Sequence, residues 1–138
     1  MQSVDYLIVG GGIAGTTAAE TIRKHDANGT IVIVSDEAHR LYSRVLLPHY
    51  IRGKIKRDFV FLKQLEWYQN HSIVLKCMRT LVQLDVAAHL ATLDDGTEYH
   101  YRKLLLSSGG HVRKLDLPNL HGITYFRTLD DADTILAL

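Results

Sequence analysis

The 138-residue chain has a single cysteine, Cys77, so no internal disulfide, CxxC redox pair or Cys-rich zinc site can form. That composition fits a reducing, cytoplasmic setting. An excess of one charge is also missing: sixteen Lys and Arg stand against fifteen Asp and Glu, a net charge of +1. No broad basic field is available to hold nucleic acid or an anionic membrane. Long apolar runs are lacking too. Residues 5–9, 31–34 and 104–106 are each of strand length, so the expectation is a soluble protein with no signal peptide and no membrane span. Only two prolines, Pro48 and Pro118, interrupt the chain, and no repeat or Pro- or Ser-rich linker is present. With 46% apolar and 22% charged residues, the composition is that of a globular core and not of a disordered chain. The length suits one domain and is short for most complete two-domain enzymes.

What is present reads as alternating strands and helices. Residues 6–9 are continuously apolar, as in a strand covered on both faces of a parallel sheet. Gly10 to Gly12 break that run, and from Ile13 the pattern is helical, with Ala14, Ala18, Ile22 and the small residues between them on the face that lies on the sheet. Asn28-Gly29 ends the helix, Gly29 suiting the left-handed position beyond a helix C-terminus. Residues 30–34 are β-branched throughout and predict a second strand, completing a right-handed βαβ unit. Residues 36–44 read as a loop, and residues 46–52 as a short helix interrupted by Pro48. Phe61, Leu62, Leu65 and Tyr68 recur at helical spacing, which makes Trp67 and Tyr68 packing residues before a cofactor box. Residues 73–75 and 80–84 predict short strands, and residues 90–93 and 98–101 flank a Gly-containing turn as a β-hairpin. Residues 103–107 return to a buried strand ending at Ser108-Gly109-Gly110. A strand near 123–126 and a helix from about Asp130 follow. The expected architecture is one compact α/β domain carrying a β-hairpin excursion.

Gly10, Gly12 and Gly15 form a GxGxxG between a predicted strand and a predicted helix. In that context Gly10 permits the tight turn, Gly12 lets the backbone approach a pyrophosphate, and Gly15 lets helix and strand pack closely. The N–H groups at Ile13 and Ala14 then face the phosphates, aided by the helix dipole. The alternative is a plain β–α turn with no ligand. Asp36 lies 21 residues beyond Gly15, just past the second strand, where an acid hydrogen-bonds ribose hydroxyls. Glu37 follows and can share the role; the alternative is a solvated acidic pair. An acid without an adjacent Arg favours FAD or NAD over a 2′-phosphorylated nucleotide.

Five ordered segments, residues 5–15, 34–48, 80–85, 104–110 and 125–133, together resemble the N-terminal part of the pyridine nucleotide-disulfide oxidoreductase superfamily. The likeness is to its ferredoxin-reductase-like members: rubredoxin and ferredoxin reductases, apoptosis-inducing factor and the nitrite reductase large subunit. The resemblance implies a Rossmann-like FAD-binding domain built on a parallel sheet, with NAD(P)H as the substrate of the intact protein. It implies that Arg44, in Tyr42-Ser43-Arg44, reaches the phosphate region of the flavin cofactor. Leu81 falls where the family has an apolar residue beside the adenine. Ser107-Ser108-Gly109-Gly110 resembles the family's Ala-Thr-Gly-Gly under the cofactor, which brings in Ser108 and Gly109, and Arg127 matches an Arg that contacts FAD. Each of these four also has an ordinary structural reading: a surface Arg, a strand residue or a Gly turn.

Two departures qualify the likeness. Members that reduce disulfides or peroxides carry a redox cysteine where this chain has Val45, so thiol chemistry of that kind is not expected. The electron-transfer reductases often carry a Lys near the flavin where this chain has His49, which can still donate a hydrogen bond. The eight histidines, scattered from His25 to His121, form no metal-ligand spacing, and no metal site is expected. Arg52, Lys54, Lys56 and Arg57 read first as a solvated loop and second as a docking patch for an acidic electron-transfer partner.

The family's second GxGxxG, for NAD(P)H, and its later Gly-Asp motif do not occur here, so the expectation is an incomplete FAD-binding domain without its nicotinamide-binding domain. Two function classes follow. One is the FAD half of an NAD(P)H-dependent oxidoreductase passing electrons to a protein or small-molecule acceptor. The other is a non-catalytic module that binds FAD or an ADP-nucleotide.

Overall fold

A computed structural model describes residues 1–116 and 122–138; Pro118 and His121 lie outside the described residues. The residues group into two compact units, one formed by Met1–Tyr42 with Lys63–Gly109, the other by Ser43–Leu62 with Gly110–Leu138.

The first unit holds a six-stranded sheet in the order β3-β2-β1-β6-β5-β4. Its strands are β1 (Gln2–Val9), β2 (Ile31–Val34), β3 (Ile73–Lys76), β4 (Leu81–Asp85), β5 (Leu90–Leu93) and β6 (Glu98–Leu106). β1 pairs in parallel with β2 and β6, and β2 with β3, whereas β4, β5 and β6 run antiparallel. The expected hairpin is therefore an extension of the parallel sheet. Gly96, at φ +79°, supplies the left-handed residue of its turn.

Alternation along the strands splits the core between two faces. Ile8, Ile31, Ile33 and Ile73 pack with Ala19 of α1 (Ile13–His25) and Tyr68 of α3 (Leu65–Asn70). Leu7, Val32 and Val34 point the other way and join Ala91, Leu93, Tyr99 and Tyr101. Tyr68 is buried and Trp67 packs against the first cluster, as the helical spacing implied.

Four local readings need correction. On α1, Gly15, Thr16 and Ala19 are buried and Ala18 and Ile22 pack partly buried on the same cluster, as expected, but Ala14 is exposed. Gly29 is not left-handed; its α-carbon is crowded instead, since a Cβ there would stand 2.5 Å from Asp26 Oδ2 and 2.7 Å from the Tyr6 ring. The expected segments 98–101 and 103–107 merge into one strand, β6, which ends at Leu106 and whose last residues are not buried: Leu105 and Leu106 are 38% and 57% exposed. Residues 123–126 form no strand, and the Tyr125 hydroxyl accepts instead from the Leu115 N–H.

In the second unit, single turns of 3-10 helix at Arg44–Leu46 and Arg57–Val60 flank α2 (Leu47–Ile51). Pro48 sits in the first turn of α2 and starts the helix; it does not interrupt it, since its missing N–H is not needed there. α2 packs against α4 (Leu129–Leu136), and Leu47, Val60, Leu129 and Ala132 are buried. Thr128 and Asp131 form a reciprocal capping box on α4.

Candidate functional site

In the first unit, β1 is the strand at which the order reverses: β2 follows it on one side and β6 lies on the other. Ligands of open α/β sheets bind outside the carboxyl ends of strands at such a point. Those ends carry Gly10–Gly12, Ser35–Glu37 and Ser107–Gly109. Backbone bonds tie them together: Gly10 N–H donates to Val34 O (2.7 Å) and Ser107 N–H to Val9 O (2.7 Å).

The three glycines of the motif have different reasons to be glycine. Gly10 has φ +115°, and a Cβ on it would meet Ser107 O at 2.1 Å. A Cβ on Gly15 would meet Gly10 O at 1.9 Å and Ile8 Cγ2 at 3.0 Å. Both are required by the fold itself. Gly12 has φ −74°, open to any residue, and nothing lies within 4 Å of the place its Cβ would take. Nothing in the chain demands glycine there. Gly12 is also the N-cap of α1, with no side-chain cap and no acid in the first turn, so the N–H groups at Ile13 and Ala14 are not claimed by a capping side chain.

Beyond β2, Asp36 is exposed and Glu37 half-buried. The Tyr42 hydroxyl donates to Glu37 Oε2 at 2.5 Å. The segment before β4 runs alongside, with Met78 N–H donating to Glu37 O and Arg79 N–H to Ser35 O. Leu81 opens β4 opposite Leu93 and packs on the second core cluster. Ser108 and Gly109 are exposed beyond β6, Gly109 at φ +68°.

The second unit brings Arg44 and Arg127 together. Arg44 Nη1 donates to Arg127 O at 3.0 Å, and Asp131 Oδ2 accepts from the N–H groups of Arg127 (2.8 Å) and Thr128 (2.7 Å). Burial works to raise the Asp131 pKa, but the hydrogen bonds from Thr128 and Arg127 and the nearby charge of Arg44 outweigh it and leave the carboxyl below its usual value. Val45 is 80% exposed in the first 3-10 turn, and His49 is exposed on α2.

Several positioning residues carry no motif signal. Ser107 Oγ donates to Val9 O (3.1 Å) and Gly10 O (3.4 Å), pinning the end of β6 to the glycine turn. Thr16 Oγ1, buried, donates to Gly11 O at 3.2 Å. Ser35 packs where a Cβ on Gly11 would go, 2.9 Å from it. A serine or threonine in these places looks like any surface hydroxyl in the sequence, so only the contacts reveal the role.

Cys77, half-buried just after β3, has its thiol pKa raised by burial. Among the described residues no group of three His, Cys, Asp or Glu is arranged to hold a metal ion, and no helix is long and apolar enough to cross a membrane. A hollow of about 540 Å³ lined by Asp5, His89, His100 and Arg102 lies toward the start of β1, at the opposite end of that strand from Gly10.

Residues 4–137 match the family described as Pyridine nucleotide-disulphide oxidoreductase. The chain is 33% identical over 134 residues to the NADH-dependent phenylglyoxylate dehydrogenase subunit epsilon of Aromatoleum evansii, covering 96% of this chain and 32% of that protein. It is 34% identical over 135 residues to rhodocoxin reductase of Rhodococcus erythropolis, with 96% and 32% covered. Among solved structures, NADH:rubredoxin oxidoreductase from Clostridium acetobutylicum superposes with a TM-score of 0.89 at 27% identity, covering 99% of this chain and 35% of that one. The chain thus spans about a third of the length of the curated relatives it matches.

Proposed function

Because the chain belongs to the pyridine nucleotide-disulphide oxidoreductase family, we propose that it is the FAD-binding part of an NAD(P)H-dependent flavoprotein oxidoreductase. In this reading electrons pass from reduced nicotinamide through FAD to a ferredoxin- or rubredoxin-type acceptor, in the cytoplasm. The observation that carries it is Gly12. Gly10 and Gly15 are glycines for the chain's own sake, whereas the open space at Gly12 suits a group that comes from outside and needs the backbone close.

The N–H groups at Gly12, Ile13 and Ala14 would hold the pyrophosphate, at a helix start that no side chain caps. Asp36 would take the ribose hydroxyls. Glu37, held by Tyr42, would set the shape of the loop and share the ribose contact. Leu81 would lie beside the adenine, with Ser108 and Gly109 under the cofactor. Arg44 and Arg127 keep the cofactor-contacting roles that the family likeness implies. When bound, FAD supplies the capacity to accept a hydride and release electrons, which no side chain here offers. The nicotinamide site belongs to residues outside this chain.

Titrating the chain with FAD tests the reading. Binding should be weak, about micromolar, because only part of the contact set is present. Gly12→Val should abolish flavin uptake while costing the fold no more than about 1 kcal/mol. Full flavin uptake by that variant would remove the glycine turn from the site. Steady NADH oxidation by the chain alone, well above that of free flavin, would mean a complete small enzyme.

A further inference from the structure

We propose that the turn carrying Arg52, Lys54 and Lys56 is a docking surface for a small acidic iron–sulfur electron carrier. The proposal rests on the reading of the protein as a flavin reductase, and it names the surface by which such a protein meets its acceptor. Segment Ser43–Leu62 holds five cations (Arg44, Arg52, Lys54, Lys56 and Arg57) against one acid, Asp58. The whole chain carries only +1, so the remaining residues are net acidic and the positive charge is concentrated here. Such segregation steers an oppositely charged partner to one face.

The structure separates the cations by task. Arg57 is committed internally, with Nε and Nη2 both on the Asp133 carboxylate at 2.8–3.2 Å. Arg52, Lys54 and Lys56 are exposed, and none is ion-paired among the described residues. The turn that carries them is braced. Gly53, at φ +68°, reverses the chain, Gly53 N–H donates to Tyr50 O and Lys54 N–H to His49 O, both at 2.9 Å. Phe59 N–H donates to Lys56 O, and Ser43 N–H to Val60 O. A merely solvated loop has no use for such order, whereas a docking surface held in shape loses less entropy on binding. Beside the cations Phe59 stands 69% exposed, the kind of aromatic that anchors an interface within a charged rim. Nucleic acid fits less well, because the rest of the chain is net acidic and would repel a long polyanion.

The test is binding of an acidic [2Fe–2S] ferredoxin to the chain by calorimetry, at about 20 and 300 mM salt. Binding should weaken at least tenfold between the two. R52E/K54E/K56E should weaken it at least tenfold at low salt, and K24E/R102E/K114E, an equal change of net charge elsewhere, less than twofold. Phe59→Ala should weaken it without changing the salt dependence. No binding by the wild-type chain, an equal loss in both triple variants, or equal affinity for a single-stranded oligonucleotide would each overturn the proposal. FAD uptake measured in parallel keeps the two readings apart. Flavin uptake without ferredoxin binding sinks the docking surface alone; salt-dependent ferredoxin binding without flavin uptake sinks the flavin reading and leaves the surface standing.

Discussion

The glycine turn of the sheet unit and the Ser43–Leu62 segment of the other unit are held by different means. The turn is fixed mainly by backbone, Gly10 N–H on Val34 O, Ser107 N–H on Val9 O and Thr16 N–H on Gly12 O, with short hydroxyl contacts from Ser107 and Thr16. Its tolerance is set by how closely chains pass. The segment has local backbone bonds within it, but it is tied to the rest of its unit by side chains reaching across long sequence distances: Arg57 and Tyr50 onto Asp133, Arg44 onto Arg127 O. One region therefore breaks when a Cβ is added, and the other when a polar group is taken away.

The largest effect should come from Gly15. With the Gly10 carbonyl 1.9 Å from the added carbon, and backbone unable to step aside, Gly15→Ala should cost about 3 kcal/mol or more in urea unfolding. Gly12→Ala, three residues away in open space, should stay within about 0.5 kcal/mol of wild type. Equal costs would erase the distinction between the glycine that the packing requires and the one that it does not.

Asp36 comes next, and its effect is on binding. Asp36→Ala should weaken FAD affinity by about 1–3 kcal/mol, the range for a hydrogen bond to a charged group. Unchanged affinity would move the ribose contact to Glu37, and Tyr42→Phe would then reveal it by releasing the Glu37 carboxylate.

In the second unit, Asp133→Ala removes an acceptor shared by Arg57 and the Tyr50 hydroxyl. That hydroxyl has its pKa raised by burial and by the Asp133 carboxylate, so it stays a donor at neutral pH. The Arg57 and Asp133 side chains are 39% and 34% exposed, and solvent screens part of their attraction. A loss of about 1–2 kcal/mol is expected. A loss below about 0.5 kcal/mol would show that apolar packing of α2 on α4 holds the segment without them.

The same contrast explains what could be read from the sequence. β1, β2, the glycine turn and the hairpin follow from local signals: apolar runs, β-branching, glycine spacing. On α1 only Ala14 leaves the expected face: Ala18 and Ile22 pack on the core, and the closest approach is made by Gly15, which has no side chain to signal it. β6 reads as two segments because Arg102-Lys103 interrupts its apolar pattern, yet pairing with β1 on both sides of Arg102 keeps it one strand. Residues 123–126 have strand composition but pair with no strand among the described residues, and composition says nothing about partners. Arg44 and Arg127 were singled out by family likeness alone; their mutual bond, spanning 83 residues, has no trace in spacing. The bond from Arg57 to Asp133, 76 residues apart, was equally invisible.

The smallest expected effect tests the side-chain end of this comparison most selectively, because it removes a charge and keeps the shape. Asp131 caps α4, accepting from the Arg127 and Thr128 N–H groups while its own N–H donates to Thr128 Oγ1 at 3.1 Å. Its carboxyl ionises more readily in the folded chain than in the unfolded one, where its pKa is about 3.9. The stability it contributes is therefore complete above that value and disappears as pH falls through the folded pKa. Asp131→Asn keeps an acceptor in place and should cost about 0.5–1 kcal/mol at pH 7, the scale of a charge at a helix N-terminus. By pH 3 the wild-type carboxyl is giving up its advantage, so the difference between the two proteins should narrow. A difference that is the same at both pH values would assign the cap to hydrogen-bond geometry alone, and the nearby Arg44 charge would have no share in it.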